Sequence, residues 1–170
     1  MIRRRSLTLL IIVLLIGVPA GYLLISAAQS RDSGRDKEDK YSATGLTAGW
    51  PSKVQRRIYE VDIPKGGVSS FVAYYETNNW RASRLYVQFR TTDKGLRKFL
   101  HTLDRSKSDL RPGVTIKKRD RDITGWSFDK GVKWTGLVHH QDDPRPTQDV
   151  TVDRTDKKYP IVYVVSDTTP

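Results

Sequence analysis

The stretch SRLYVQFRT, residues 83–91, decides the fold because it carries the clearest alternation of apolar and polar side chains in the chain. Leu85, Val87 and Phe89 occupy every second position, as in a β-strand that buries one face. The positions between them hold the side chains that we expect to point away from the core, namely Arg84, Tyr86, Gln88 and Arg90. The stretch therefore predicts a sheet with one apolar face and an opposite face that is polar and cationic.

Similar alternation predicts further strands on both sides of this one. The predicted strands are residues 57–64 (RIYEVDIP), 69–76 (SSFVAYYE), 114–118 (VTIKK), 148–153 (QDVTVD) and 159–165 (YPIVYVV). Residues 126–128 and 132–134 flank the tripeptide Asp-Lys-Gly, which is a β-hairpin signal. The last strand is apolar on both faces from Ile161 to Val165, which predicts a central position in the sheet.

The segment that follows residues 83–91 has a helical period instead. Its apolar residues keep the i, i+3, i+4, i+7 spacing of one helix face: Leu96, Phe99, Leu100 and Leu103. Thr92 or Asp93 can cap the start of this helix, and His101 lies off the apolar face, where we expect it to be exposed and inert. With about seven or eight strands, the pattern predicts an α+β fold, a mainly antiparallel β-sheet with one short amphipathic helix.

The amino-terminal region has the composition of a membrane anchor. Residues 6–30 contain no charged side chain and are dominated by Leu, Ile and Val. As a helix, residues 7–28 would span roughly 33 Å, about the thickness of the hydrocarbon core of a bilayer. Arg3, Arg4 and Arg5 precede this run, and the positive-inside rule keeps them in the cytoplasm. We therefore expect a single-pass protein of the cell membrane, with an N-terminal transmembrane helix and the C-terminal domain outside.

The same region also fits a cleaved signal peptide. Ser26, Ala27 and Ala28 place small residues where signal peptidase requires them, so that cleavage after Ala28 would release a secreted protein. The apolar run is longer than the roughly 7–15 residues usual in a signal peptide, which favours an uncleaved anchor. The chain contains no cysteine, which excludes a lipid-modified cysteine and leaves a domain outside the cell without disulfides.

These features divide the chain into four regions. They are a basic cytoplasmic terminus (1–6), a transmembrane signal anchor (7–28), a flexible charged linker (29–49) and an extracytoplasmic β-rich domain (50–170). The linker combines balanced charges with Ser, Gly and Thr and has almost no periodic apolar residue, as in a solvated tether. A random coil of this length spans roughly 25 Å, so the domain would stand near the membrane.

The charge of the domain predicts an anionic partner. The whole chain carries +11, and from Pro51 onward 23 Lys and Arg stand against 15 Asp and Glu, a net charge of +8. Outside a bacterial membrane the available anions are lipid headgroups, teichoic-type phosphates and acidic wall glycans, and we do not expect nucleic acid. The densest basic run supplies the candidate anion contacts, Lys117, Lys118, Arg119 and Arg121. Asp120 and Asp122 alternate with these cations, so a hydrated, salt-bridged loop is the alternative.

Exposed tryptophans could add a stacking surface for sugar rings. Trp80 lies in the polar stretch Thr77–Arg81, which makes it the candidate aromatic contact, although its ring could equally fold back under the loop. Trp50 is the other tryptophan with a claim to ligand contact. Trp126 and Trp134 are expected to pair across the predicted hairpin and to pack in the core.

No motif of high specificity for catalysis occurs. A Gly-rich phosphate loop, a serine elbow and a Cys–His pair are all missing from the sequence, so we predict no enzyme activity, no cofactor and no catalytic residue. His139, His140 and Asp142 form the one metal-like cluster, which would suit a metal-assisted hydrolase if the three side chains converge. Adjacent residues of a strand point to opposite faces, however, and the usual zinc spacings are absent, so we predict no metal site.

Several of these features together resemble those of a group of bacterial proteins. The Arg-led anchor, the charged linker, Leu85–Thr91 and Phe99–Leu100 make the chain similar to small, uncharacterised, membrane-anchored exported proteins of high-GC Gram-positive bacteria. The resemblance covers about half of the chain and implies no activity. We therefore expect a binding or scaffolding domain that contacts anionic cell-envelope components, with an accessory subunit of a membrane protein complex as the alternative.

Overall fold

The computed structural model describes residues 45–65, 71–78 and 82–168, together with Leu15, Val18 and Pro19. The chain divides into two units, residues 1–37 and 38–170. In the first unit the three described residues lie in helical backbone and are exposed. The rest of the expected anchor and most of the expected linker lie outside the described residues. Among the residues that are described, no helix is long and apolar enough to cross a membrane.

The second unit is built on a seven-stranded sheet. Its strands are β1 (Thr47–Ala48), β2 (Val72–Asn78), β3 (Ser83–Arg90), β4 (Arg111–Pro112), β5 (Trp134–His139), β6 (Thr147–Asp153) and β7 (Ile161–Thr168). Their spatial order is β1-β2-β3-β7-β6-β5-β4, and every neighbouring pair is antiparallel. Within residues 45–168 the sheet is accompanied by α1 (Lys53–Ile58), α2 (Asp93–Thr102), a 3-10 helix (Lys107–Asp109) and α3 (Lys118–Thr124). The predicted α+β class with a mainly antiparallel sheet is confirmed, but several short helices replace the single one expected.

Strands β3 and β7 lie at the centre of the sheet and pair along their whole length, from Ser83 opposite Thr168 to Arg90 opposite Ile161. The central position predicted for the last strand is confirmed. Both faces of β3 are buried, since Tyr86 is as inaccessible to solvent as its neighbour Val87. The prediction that the second side of β3 faces solvent is therefore wrong at the middle of the strand, because helix α3 and the loop after it cover Tyr86.

The first face, which we call the α2 face, holds the side chains that residues 83–91 were expected to bury. Leu85, Val87 and Phe89 are buried there, and Phe99 of α2 meets Phe89 edge to face with ring centroids 5.3 Å apart. Helix α2 begins where predicted, because the Thr92 hydroxyl accepts a hydrogen bond from the Gly95 amide at 3.1 Å. The amphipathic helix predicted from the apolar spacing is thus confirmed, and its apolar side faces the sheet.

The opposite face, which we call the α3 face, is built from aromatic rings. Trp126, Tyr163 and Phe128 pack edge to face with centroid separations of 5.1–6.4 Å. The Trp126 indole donates a hydrogen bond to Gln88 Oε1 at 3.0 Å, so a polar side chain of β3 anchors the cluster. The core role expected for Trp126 is confirmed, since only 8% of its surface is exposed.

The chain reaches α3 by crossing over β5 and β6. Thr115 Oγ1 lies 2.7 Å from the carbonyl oxygen of Val150 and 3.0 Å from Thr151 Oγ1. A β-carbon at Gly136 would meet Thr115 Cγ2 and the Val150 carbonyl oxygen at 2.8 Å, so only glycine admits this crossing.

Residues 57–64 do not form the strand that their alternation predicted. The Ser52 hydroxyl and the Gln55 side chain form a capping box that starts α1, which runs to Ile58. After it the chain turns at Glu60, whose φ of 50° lies in the left-handed region. Tyr59, Val61 and Ile63 are buried, so the alternation is real, but the segment pairs with no strand that the structure describes.

Two further strand predictions fail on the α3 face. Residues 114–117 form the irregular crossing, and residues 118–124 are helical up to Gly125, whose φ of 68° ends the helix. The expected hairpin is also absent, since residues 126–128 are not in a strand and only Trp134 begins one. Both indoles enter the aromatic cluster instead, where burial of the rings decides the backbone path.

The short strand β1 lies within the expected linker. Thr47 and Ala48 pair with Tyr74 and Ala73 of β2. The folded unit thus takes in the last residues of the region assigned to the tether.

Candidate functional site

The predicted basic run starts a helix and does not lie in a loop. Lys117 is the N-cap residue of α3. Lys117, Lys118 and Arg119 are exposed, whereas Arg121 is half-buried. The structure therefore does not bring the four candidate anion contacts together on one open surface.

Two of these four cations already have partners. Lys118 Nζ lies 2.6 Å from Asp122 Oδ2, one turn further along α3. The Arg121 guanidinium lies 5.9 Å from the centroid of the Phe128 ring. Lys117 and Arg119 make no ion pair within the described ranges and stay available to an external anion.

The two aspartates of the same run separate. Asp120 is buried, and its Oδ1 accepts a hydrogen bond from the Tyr86 hydroxyl at 3.1 Å. Asp122 is exposed beside Lys118. Burial, and then the charge of Asp120, raise the pKa of Tyr86, so its hydroxyl stays protonated and donates. Asp120 is thus a structural acceptor for the Tyr86 hydroxyl of β3 and not part of a hydrated, salt-bridged loop.

Asp149 on β6 is a carboxylate of the α3 face with a raised pKa. Burial raises its pKa, and the charges of Asp120 and Asp167 act in the same direction, against Lys117 and His140. Its side chain makes no hydrogen bond with a residue that the structure describes. Without a positioned nucleophile or a second acid–base group bonded to it, this carboxylate does not make a catalytic centre.

A cationic surface lies on the solvent side of α2, and it was not among the predicted sites. Its side chains follow the i, i+3, i+4, i+7 spacing of one face, are all exposed, and comprise Lys94, Arg97, Lys98 and His101. We call these residues the α2 basic face. The exposure predicted for His101 is confirmed. The sequence pattern indicates this face, because residues 94, 97, 98 and 101 repeat the spacing of the buried apolar residues 96, 99, 100 and 103 on the other side of the helix.

One carboxylate serves two cations at the start of this face. Asp93 forms ion pairs with both Arg97 and Lys107. The hydrogen bond from Lys107 is the main cause of a lowered pKa of Asp93, and Arg97 lowers it further. Lys94 and Lys98 have no ion-pair partner in the described part of the chain, so the α2 basic face keeps a surplus of positive charge.

The candidate aromatic contact, Trp80, lies outside the described residues, and the prediction for it stays a prediction. Trp50 is described and is 36% exposed, with the Arg56 guanidinium 5.6 Å from its ring centroid. Trp134 joins the aromatic cluster of the α3 face, where its ring centroid lies 4.8 Å from that of Phe128.

The histidine cluster does not form a metal centre. Among the residues that the structure describes, no three His, Cys, Asp or Glu side chains could together hold a metal ion. His139 is half-buried, and burial is the main cause of its lowered pKa. The ligand set that a metal-assisted hydrolase would need from His139, His140 and Asp142 is therefore not assembled.

The loop after His139 closes on Glu60 instead. Arg145 donates to Glu60 from Nε at 3.0 Å and from Nη2 at 2.8 Å, and Gln141 Nε2 donates to Glu60 Oε2 at 2.9 Å. The bond from Arg145 is the main cause of a lowered pKa of Glu60. This fork fixes the loop against the turn after α1 and gives it a structural role.

No protein-family model matches this chain, and the searches of curated proteins and of solved structures also found no match.

Proposed function

We propose that this chain is a membrane-anchored, extracytoplasmic binding or scaffolding protein, and that it contacts an anionic component of the cell envelope through the α2 basic face. The observation that carries the proposal is the row of exposed cations on α2. These side chains are held on one side of a helix whose other side is locked into the core by Phe99 and Leu100.

The spacing of the row suits a polymer with repeated negative charges. Lys94 and Lys98 lie about one helical turn apart, and Arg97 lies between them on the same side of α2, so the row places its cations within about 6 Å along the helix axis. Single exposed ion pairs are worth little, but several on one rigid helix can engage one chain of phosphates or carboxylates together. A teichoic-type polymer or an acidic wall glycan has the required chemistry.

The rigidity of the surface also supports binding. Lys107 and Arg97 share Asp93, which joins the start of α2 to the segment after it. Lys94 and Lys98 are therefore presented from a fixed backbone, and less order has to be imposed on binding than for cations on a mobile loop. The two free cations of α3, Lys117 and Arg119, form a second and smaller contact on the opposite side of the sheet.

The test uses the full chain in lipid nanodiscs and poly(glycerol phosphate) as the probe. We expect the polymer to be retained at low salt and released at high salt, because screening weakens exposed ion pairs. K94E/K98E should remove most of the retention at low salt. K117E/R119E is the matched control, because it changes the net charge by the same amount on α3. This variant should keep most of the polymer retention at low salt.

Two results would overturn the proposal. Equal loss in the two variants would show that only net charge matters. Capture of a membrane protein from solubilised membranes, with no effect of salt or of either variant, would favour the accessory-subunit alternative.

A further inference from the structure

Helix α1 is placed with its polar side toward the sheet and its apolar side toward solvent. Gln55 Nε2 donates to Glu76 Oε2 at 2.5 Å, and the hydroxyl of Tyr59 donates to Glu76 Oε1 at 2.8 Å. Val54 and Ile58 lie one turn apart on the other side and are 57% and 53% exposed. A helix of a water-soluble domain normally has the reverse arrangement. The exposed aliphatic pair therefore calls for an occupant.

We propose that this side of α1 docks onto an anionic lipid bilayer. The α1 docking surface comprises Trp50, Lys53, Val54, Arg57 and Ile58. The proposal rests on the membrane anchor of the proposed function and adds a second, reversible contact with the same membrane.

The chemistry of the surface matches the headgroup region of an anionic bilayer. Helix α1 contains no acidic residue, and Lys53 and Arg57 flank the aliphatic pair without an ion pair in the described residues. Trp50 lies just before the Ser52 cap of α1 and contacts Arg56 of that helix. It adds an indole that is 36% exposed, a side chain enriched at membrane–water boundaries. Aliphatic side chains with tryptophan and flanking cations are typical of helices that lie in the bilayer interface.

The size of the surface favours lipid over a protein partner. A stable protein interface buries roughly 800 Å² on each side, whereas α1 has six residues and offers two aliphatic side chains and one indole. Such a contact is weak for a protein that diffuses freely. It is sufficient for a domain already held at the membrane by a linker of nearly 20 residues, because the tether raises the effective concentration of the lipid.

The experiment uses the full chain in vesicles and one spin label at a time. Because the chain has no cysteine, the variants V54C and I58C each carry a single labelling site, and both positions are exposed enough to accept the label. The matched control is K157C, an exposed position in the loop between β6 and β7, at the opposite end of the sheet. The vesicles contain equal parts of phosphatidylcholine and phosphatidylglycerol, with pure phosphatidylcholine as a second composition.

We expect labels at 54 and 58 in anionic vesicles to collide with oxygen readily and with a water-soluble nickel complex several-fold less often than the label at 157. The difference should shrink in pure phosphatidylcholine and in K53E/R57E, while both preparations still float with the vesicles. Nickel accessibility at 54 and 58 equal to that at 157 in anionic vesicles would overturn the proposal. Dipolar broadening between labels at 54 would overturn it too, because a second copy would then be the occupant.

Failure of docking and failure of the anchor give different results. If the chain floats with the vesicles but its labels at 54 and 58 stay open to nickel, the anchor stands and the α1 proposal is wrong. If the chain does not float with vesicles of either composition, the membrane anchor is wrong and the docking proposal falls with it.

Discussion

The two faces of the sheet bury their central side chains equally well but by different chemistry. On the α2 face, Leu85, Val87 and Phe89 meet the apolar side of a helix. Buried hydrogen bonds lie at one end of this face, where Ser166 and Gln148 donate to the carbonyl oxygen of Tyr59. On the α3 face, Tyr86 and Trp126 are buried as well, and each has a polar partner, in Asp120 and Gln88.

The difference teaches that burial and polarity are separate properties of a strand. The α2 face gains stability from apolar area that leaves water, which is non-directional. The α3 face adds hydrogen bonds of fixed direction at its centre, which stabilise modestly when made and are costly when broken. We therefore expect the first face to respond to lost volume and the second to lost partners.

The largest effect is expected from emptying the α2 face. Phe99→Ala removes a fully buried ring that packs against Phe89, and a substitution of this kind costs about 3–5 kcal/mol. Chemical denaturation of the full chain in detergent micelles, followed by near-ultraviolet circular dichroism, measures the loss. A loss below about 1 kcal/mol would mean that α2 is not part of the cooperative core.

An intermediate effect is expected from removing one partner on the α3 face. Tyr86→Phe keeps the ring but leaves the buried Asp120 carboxylate without its donor, which costs about 1–3 kcal/mol. The same denaturation experiment measures it, with Asp120→Ala, which removes the acceptor, and the double variant completing a cycle. Because the two side chains share one bond, the double variant should lose less than the sum of the single losses. Strict additivity would show that the bond is not made.

The smallest effect is expected from a substitution of Asp149, which should raise the stability of the domain where the two previous substitutions lower it. Burial raises the pKa of this carboxyl above the ordinary value of 3.8, so the folded state binds its proton more tightly than the unfolded state. The contribution of this proton to the free energy of unfolding is complete below about pH 4. It decreases as pH rises through the pKa of the folded state and is lost above that pKa. Asp149→Asn should therefore raise the melting temperature at about pH 7, with a gain that vanishes below about pH 4. A lower melting temperature at neutral pH would contradict this.

Strands and helices with strong periods could be predicted from the sequence. Residues 83–90, 93–102 and 161–168 each form the expected type of element, because alternation or helical spacing of apolar residues is a direct record of what each element buries. Even here, the pattern did not reveal that Tyr86 is buried. Amphipathic side chains such as tyrosine look polar in a pattern but lie in a core when their hydroxyl finds a partner.

The failed predictions have a common physical cause. The local sequence pattern does not show which other segment of the chain will pair with or pack against a residue. Tyr59, Val61 and Ile63 alternate as in a strand, yet an extended segment becomes a strand only when another backbone pairs with it. Helix α3 has the sequence KRDRDIT, without a continuous apolar side, so its period was hidden by charges. The α2 basic face could be predicted from the sequence, because Lys94, Arg97 and Lys98 share the side of α2 opposite its apolar residues.

The position of β7 has a consequence for the order in which the domain folds. Val87 pairs with Val164, so the centre of the sheet joins segments that are far apart in sequence, and contacts of this kind form slowly. Until residues 161–168 have emerged, β3 and β6 each lack the neighbour that completes them. A chain cut before residue 161 should therefore leave the sheet divided between β3 and β6, and its two halves should not form one cooperative core.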